Sequence, residues 1–293
     1  MRVLKCGSRR LVLDQTKVMG VLNITPDSFS DGGSLYRHNR PDLPAIRARA
    51  ESLCVQGAAI LDLGGESTRP GAEVVPVQEE LRRVMPALDS LLALDTIVSI
   101  DTRNPKVARA ALAAGAHMIN DVNALQAPEM VEALAESDAA VCLMHMQGNP
   151  QTMQKQPCYV DVVADVQTFL SQRAQACVEA GIQQDRIVLD PGFGFGKTLA
   201  HNLALLRQLQ RCRVCDYPLL AGLSRKSMIG ALTNRKSTTH RLGGSLAAGV
   251  VAALNGADII RCHDVAETVD ALSVVEAVKL EDEQHVQKEH VSV

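Results

Sequence analysis

Eight short apolar runs, each followed by a polar loop and then a helix-like stretch, set the pattern of the chain. They are KVMGVLNI, AILDLGGES, TIVSIDT, HMINDVN, AVCLMHM, RIVLDPG, PLLAGLS and DIIRCHD. The segments between them, such as NPKVARAALAAG and HNLALLRQLQRC, space apolar residues at the three- and four-residue period of a helix. Strands alternating with helices of this length pair in parallel through crossovers. Eight of them over roughly 250 residues match a closed (β/α)8 barrel, a TIM barrel; an open doubly wound sheet is the alternative. No Pro/Ser-rich linker divides the 293 residues, so one domain over 1–293 is expected. Residues 1–17, with Val3, Leu4, Leu11, Val12 and Leu13, read as a hairpin closing the barrel bottom. The charged tail 280–293 reads as a fraying helix end, and no solenoid-type repeat is present.

Where the unusual residues fall says more than the strands themselves. Nearly every run ends in polar groups its apolar body does not predict: Asn23, Asp62 with Glu66, Asp101, Asn120, His145, Asp190, Arg225 with Lys226, and Arg261 with His263. In a barrel the C-terminal strand ends converge on one mouth, where the active sites of this fold lie. A core built only for stability avoids this many carboxylates and amides. DTRNP or NDVNA taken alone is read equally well as a capped helix start.

Composition removes several other functions. Aromatic residues make up 2% of the chain, with no Trp, which argues against a nucleic-acid reader built on stacked rings. A net charge of −3 without a basic stripe points the same way. No run of about 18 uncharged apolar residues suggests a membrane span. The opening MRVLKCGSRRLVLDQTK lacks the apolar centre of a secretory leader, so a cytoplasmic location is expected. The eight cysteines are dispersed, as expected of reduced core thiols. The lone CxxC of Cys212 and Cys215 has no second pair at zinc spacing.

Three loop families bear on chemistry. DPGFGFGK (190–197) has neither dinucleotide nor Walker spacing. Its Phe193 and Phe195 either pack under the loop or line a flat substrate's pocket. GGESTRPGA (64–72) is either a plain turn or a mobile segment that closes over a substrate. SRKS (224–227) and RCHD (261–264) follow the seventh and eighth strands, where barrels often bind phosphate. Arg261 and His263 alternate along one strand and point the same way, giving a fork donor beside an imidazole. Asp101, Asn120 and Asp190 form an acceptor-rich rim suited to the amidine-like edge of a nitrogen heterocycle. His145, between methionines, reads as a satisfied core or rim histidine rather than a base.

NITPDSFSDGG, GGESTRPGA, IDT, IND, LMHMQGNPQTMQ, LDPGFGFGK, SRKSMIG and R-x-HDV occur in the order found in dihydropteroate synthases, and from Val18 to about Val278 the chain resembles that pterin-binding (β/α)8 family. The resemblance implies condensation of (7,8-dihydropterin-6-yl)methyl diphosphate with 4-aminobenzoate, with Mg2+ as cofactor. It implies a homodimer, and a target of sulfonamides. It assigns Asn23 to the metal and diphosphate, and Arg261 and His263 to the diphosphate. Asp101, Asn120, Asp190 and Lys226 would hold the pterin. Phe29, Thr68, Arg69, Pro70, Phe195 and Ser227 would form the 4-aminobenzoate site. Of these, Asp101, Lys226, Arg261, Thr68 and Arg69 would be catalytic. The pair Arg103-Asn104 carries no expected role.

Two rival functions stand beside this one. A pterin-dependent methyltransferase would share the acidic and amide pterin ligands but has no use for SRKS, Arg261 and His263 as a diphosphate site. A non-catalytic pterin-binding paralogue would not need Asn23, Thr68 and Lys226 together.

Overall fold

A computed structural model describes residues 2–25, 35–37, 40–67 and 71–290, with the backbone only at Arg37 and over 280–290. The expected Phe29 of the first loop, and Thr68, Arg69 and Pro70 of the second, lie outside the described residues.

The strands are β1 (Arg2–Cys6), β2 (Arg9–Leu13), β3 (Lys17–Asn23), β4 (Tyr36–Arg37), β5 (Arg40–Pro41), β6 (Ile60–Gly64), β7 (Ile97–Asp101), β8 (Met118–Asp121), β9 (Ala140–Met144), β10 (Ile187–Asp190), β11 (Leu220–Gly222) and β12 (Ile259–Cys262). The helices are α1 (Leu43–Val55), α2 (Val77–Leu91), α3 (Pro105–Ala114), α4 (Pro128–Ala135), α5 (Val162–Glu179), α6 (Leu199–Arg207), α7 (Ser227–Thr233), α8 (Leu242–Leu254) and α9 (Val265–His290). The eight expected runs form one parallel sheet in the order β10-β9-β8-β7-β6-β3-β12-β11. A parallel bridge from Leu189 on β10 to Leu219, with the Leu189 N–H on the Pro218 carbonyl at 2.9 Å, brings the two sheet edges together into a barrel. Pro218 precedes the short β11, and Gly222 ends it. The small β4–β5 ribbon lies in a connection that shows no strand pattern in the sequence.

Alternation along the strands divides the apolar residues between two cores. Outward residues such as Leu61, Leu63, Val98, Ile100, Ile119, Val141 and Ile260 pack against the helices. Inward residues near the strand starts, among them Met19, Ile60, Ile97, Met118, Val188 and Ile259, form a second cluster. Leu4, Cys6 and Leu11 of the antiparallel β1–β2 hairpin join that cluster, so the hairpin seals the base. Sealing one end with hydrocarbon leaves the polar inward positions gathered at the other.

Helix starts follow ordinary capping chemistry. Asn104 accepts the Lys106 N–H at 3.1 Å ahead of α3, and Asp161 accepts the Val163 N–H at 2.9 Å ahead of α5. All eight cysteines are free thiols, with Cys158 and Cys215 exposed. Among the described residues, no helix is long and apolar enough to cross a membrane.

Candidate active site

At the C-terminal end of the barrel, inward positions of neighbouring strands converge on one guanidinium. Arg261, on β12, donates from Nε to Asp62 Oδ2 at 2.6 Å and from Nη2 to Asp101 Oδ2 at 2.9 Å. Asn120 on β8 donates from Nδ2 to the same Asp62 oxygen at 3.0 Å. All three of these acceptor or amide residues are buried, Asp62 completely. Buried charges persist only when paired, and here one cation is shared by two carboxylates. Burial pushes the Asp101 carboxyl well above its ordinary value; Arg261 pulls it back, while Asp62, Glu80 and Asp121 push it further up. Burial would discharge Arg261, but Asp62 and Asp101 more than offset that and hold it protonated.

Asn23 ends β3 beside this group. A Cβ placed on Gly64 would lie 3.3 Å from Asn23 Oδ1 and 3.9 Å from Asp101 Oδ2, so the amide oxygen and the carboxylate flank one bare glycine.

Asp190 ends β10 where the glycine-rich loop begins, and Lys226 stands just ahead of α7, in the turn after β11. Asp190 Oδ1 accepts the Gly192 N–H at 2.7 Å. The Lys226 ammonium donates to the Phe193 carbonyl and sits 4.7 Å from the centre of the Phe195 ring. Burial lowers Lys226 to about 8 against the opposing pull of Asp190. The two Phe residues of the loop therefore divide the roles left open for them: Phe193 is fully buried in the outer core, whereas Phe195 is half-buried under the lysine.

Sequence patterning overlooks the residue that secures this loop. Lys197 Nζ donates to the carbonyls of Gly192 at 2.9 Å and Phe195 at 3.0 Å, and lies 2.9 Å from His145 Nδ1. Burial lowers Lys197 to about 7, and burial with Lys197 nearby lowers His145 to about 3, so a neutral imidazole accepts from the lysine. His145 is thus a satisfied buried histidine, packed edge-on against Phe169 at 4.9 Å. The loop approaches so closely that a Cβ on Gly192 would fall 1.9 Å from the His145 carbonyl oxygen.

On the rim, His263 Nδ1 lies 3.0 Å from Ser224 Oγ, two residues before Lys226. Ser227 is exposed at the first position of α7. Arg225 does not join the mouth's cations as its place in SRKS suggests. It is paired with Asp264, with Nε 3.1 Å from Oδ2, because adjacent residues of this turn diverge and Arg225 adopts φ +59°. Arg103, assigned no role from sequence, grips Glu66 with two N–H bonds of 3.1 Å. Beneath it Glu80 is buried, accepts the Thr102 hydroxyl at 2.6 Å, and is pushed by burial up to about 7. Its signal was present: Glu80 occupies the buried stripe of α2 with Val84, Ala87, Leu88 and Leu91.

The arrangement is a buried acceptor set around a guanidinium, with a lysine and a half-buried ring beside it. The family description "Pterin binding enzyme" matches residues 19–263, which contain every one of these groups. A dihydropteroate synthase of Escherichia coli K12 is 50% identical over 91% of this chain and 93% of its own length. The structure of Yersinia pestis dihydropteroate synthase in a sulfonamide drug complex is 46% identical, with a TM-score of 0.90 over 94% of this chain and 99% of that one. That of the Burkholderia cenocepacia dihydropteroate synthase complexed with 7,8-dihydropteroate is also 46% identical, with a TM-score of 0.87 over 97% and 98%. The chain belongs to the dihydropteroate synthase family, transferases within the pterin-binding enzymes.

Proposed function

We propose that the chain joins (7,8-dihydropterin-6-yl)methyl diphosphate to 4-aminobenzoate, forming 7,8-dihydropteroate and releasing diphosphate. The observation that carries this reading is Arg261 shared between Asp62 and Asp101, with Asn120, Asp190 and Lys226 around it. Asp101, Asn120 and Asp190 match the N–H-rich edge of a pterin, and Lys226 caps the Asp190 side. Arg261 and His263 hold the diphosphate. Breaking the C–O bond leaves positive charge on the pterin methylene. The buried Asp101 carboxylate offsets that charge in a medium where electrostatics are strong. The weakly basic arylamine needs orientation more than activation. Phe195 and Ser227 are assigned to its site, as are Phe29, Thr68, Arg69 and Pro70, which lie outside the described residues.

Mg2+ fits this donor set. The Asn23 amide oxygen is a hard ligand at the mouth, close to the Asp101 carboxylate across Gly64. Magnesium characteristically takes one or two protein oxygens and completes its shell with phosphate and water. Bound there, it would neutralise charge on the departing diphosphate.

The same reading includes a homodimer and a cytoplasmic location. Exposed Leu232 on α7, Val251 and Leu254 on α8, and Val274 and Val278 on α9 are apolar groups a second copy could cover. Eight unpaired cysteines suit a reducing compartment.

The test is formation of 7,8-dihydropteroate and diphosphate from both substrates with Mg2+, comparing wild type with Lys226→Ala and Arg261→Ala. Each variant is expected to lose about 100-fold or more. Absence of pteroate from the wild type, or methyl transfer without diphosphate release, overturns the reading.

A further inference from the structure

Asp62 belongs to none of the substrate-holding groups, yet it joins two of them. It lies on β6 at an inward position, between Ile60 of the sealed base and Gly64 at the mouth. One oxygen, Oδ2, takes both the Arg261 Nε bond at 2.6 Å and the Asn120 Nδ2 bond at 3.0 Å. Among the described residues the other oxygen, Oδ1, has no hydrogen-bond partner, nor does Ser99 Oγ on the register-paired residue of β7.

For stability alone this is a poor arrangement. A buried carboxylate paired to a buried guanidinium costs desolvation free energy that apolar side chains of similar size avoid. The next inward layer below is apolar at the equivalent positions, with Ile60, Ile97 and Met118. The return for Asp62 must lie in where it places its neighbours. Arg261 lies between two carboxylates, and Asp62 is the one that also ties β12 to β8.

Resting on the proposed reaction, we infer that Asp62 is a positioning residue: its Oδ2 fixes Arg261 and Asn120 relative to Asp101, keeping the guanidinium shared instead of closing on Asp101 alone. Without Asp62 the guanidinium folds onto the Asp101 carboxylate. That pairing neutralises the charge meant to face the pterin, and it turns the guanidinium away from the diphosphate. Asn120 also loses the acceptor that orients its amide.

The experiment uses the full chain with Asp62→Asn, which keeps the side chain's shape and one acceptor oxygen. Melting temperature is expected to stay at or above the wild-type value. kcat is expected to fall at least about 10-fold and KM for the pterin diphosphate to rise, while KM for 4-aminobenzoate stays unchanged. A support role in the barrel predicts the opposite: a lower melting temperature, and wild-type kinetics per folded molecule. The paired variant Asp62→Asn/Arg261→Gln removes both charges of the ion pair and covers the case in which the single variant does not fold. If Asp62 acts through Arg261, the double variant is no slower than Arg261→Gln alone. Multiplying losses, or wild-type kinetics in Asp62→Asn, overturn the inference. Failure of the wild type to form pteroate would instead remove the proposed reaction.

Discussion

Replacing Gly192 by Ala tests the close approach that holds the glycine-rich loop over β9. The new Cβ would lie 1.9 Å from the His145 carbonyl oxygen, 3.0 Å from its carbon and 3.2 Å from Met144 Cγ. Relief requires movement of more than an ångström, and the carbonyl is backbone, not a flexible side-chain end. The His145 N–H is bonded to the Asp190 carbonyl at 2.9 Å and the His145 ring to Lys197, so displacement travels into the site. Ala at φ +69° adds about 1 kcal/mol of backbone strain. Overpacking against a fixed neighbour adds about 2–3 kcal/mol, for a total of about 3–4 kcal/mol. Gly181→Ala is the control, since φ there is +97° and nothing lies within 4 Å of its Cβ. It carries the backbone strain alone, about 1 kcal/mol. Urea unfolding of both variants, compared at equal slope, isolates the contact. Equal destabilisation of the two would refute the close packing of this loop. Gly192→Ala should also lower turnover of the folded protein, because the Gly192 N–H orients Asp190.

The remaining predictions concern charge. Lys226, lowered to about 8 by burial, loses its proton above that value, so kcat/KM for the pterin diphosphate should fall as pH rises through it. Lys226→Arg should remove that basic limb, and a limb that persists unchanged would exonerate the lysine. Glu80 has a folded value of about 7 against 4.5 outside the fold, so the fold favours its protonated form and loses stability as pH rises from 4.5 through 7. Glu80→Gln, whose carbonyl still accepts the Thr102 hydroxyl, should therefore stabilise the protein by about 2–3 kcal/mol at pH 8 and little at pH 4, as read by thermal melting. Chelation of divalent metal should abolish pteroate formation, with Mg2+ restoring it; undiminished turnover in chelator would exclude the metal. Arg261→Lys cannot bridge two carboxylates with a planar fork and should lose about 100-fold in kcat/KM, whereas near-normal activity would mean that charge alone suffices.

How much of this was legible depends on whether the signal is local. The barrel follows from apolar runs at strand length alternating with helical spacing, and both periods can be counted along the chain. Asp101, Asn120, Asp190 and Arg261 were legible because each interrupts an apolar run at an inward position near its end. Lys197 and Glu80 were not singled out, since their meaning depends on partners far along the chain, His145 and Thr102. Glu80 does carry a local trace, a carboxylate on the apolar stripe of an amphipathic helix. Arg225 was misread for the converse reason. Its neighbour Lys226 turns to the site, and only the backbone at φ +59° shows that Arg225 turns to Asp264. Asp62 was legible as a polar strand end, but not as the link between β12 and β8, because hydrogen bonds between strands leave no mark in either strand's own pattern.

The charge balance at the mouth bears on how the proposed reaction would be driven. Asp62, Asp101 and Asp190 face Arg261 and Lys226, an excess of carboxylate in a region largely removed from water. Such a field favours a pterin methylene that is losing its leaving group over one that still carries it, because positive charge appears only as the bond breaks. It also disfavours an anionic diphosphate in the ground state, unless cations accompany it. Arg261 can serve here without leaving its carboxylates. Of the five N–H bonds of a guanidinium, one goes to Asp62 and one to Asp101, and three remain for phosphate oxygens. The guanidinium thus links the carboxylates that welcome the cation to the group that carries away the anion. Interactions that strengthen as charge separates lower the barrier, whereas equally tight binding of the intact substrate does not.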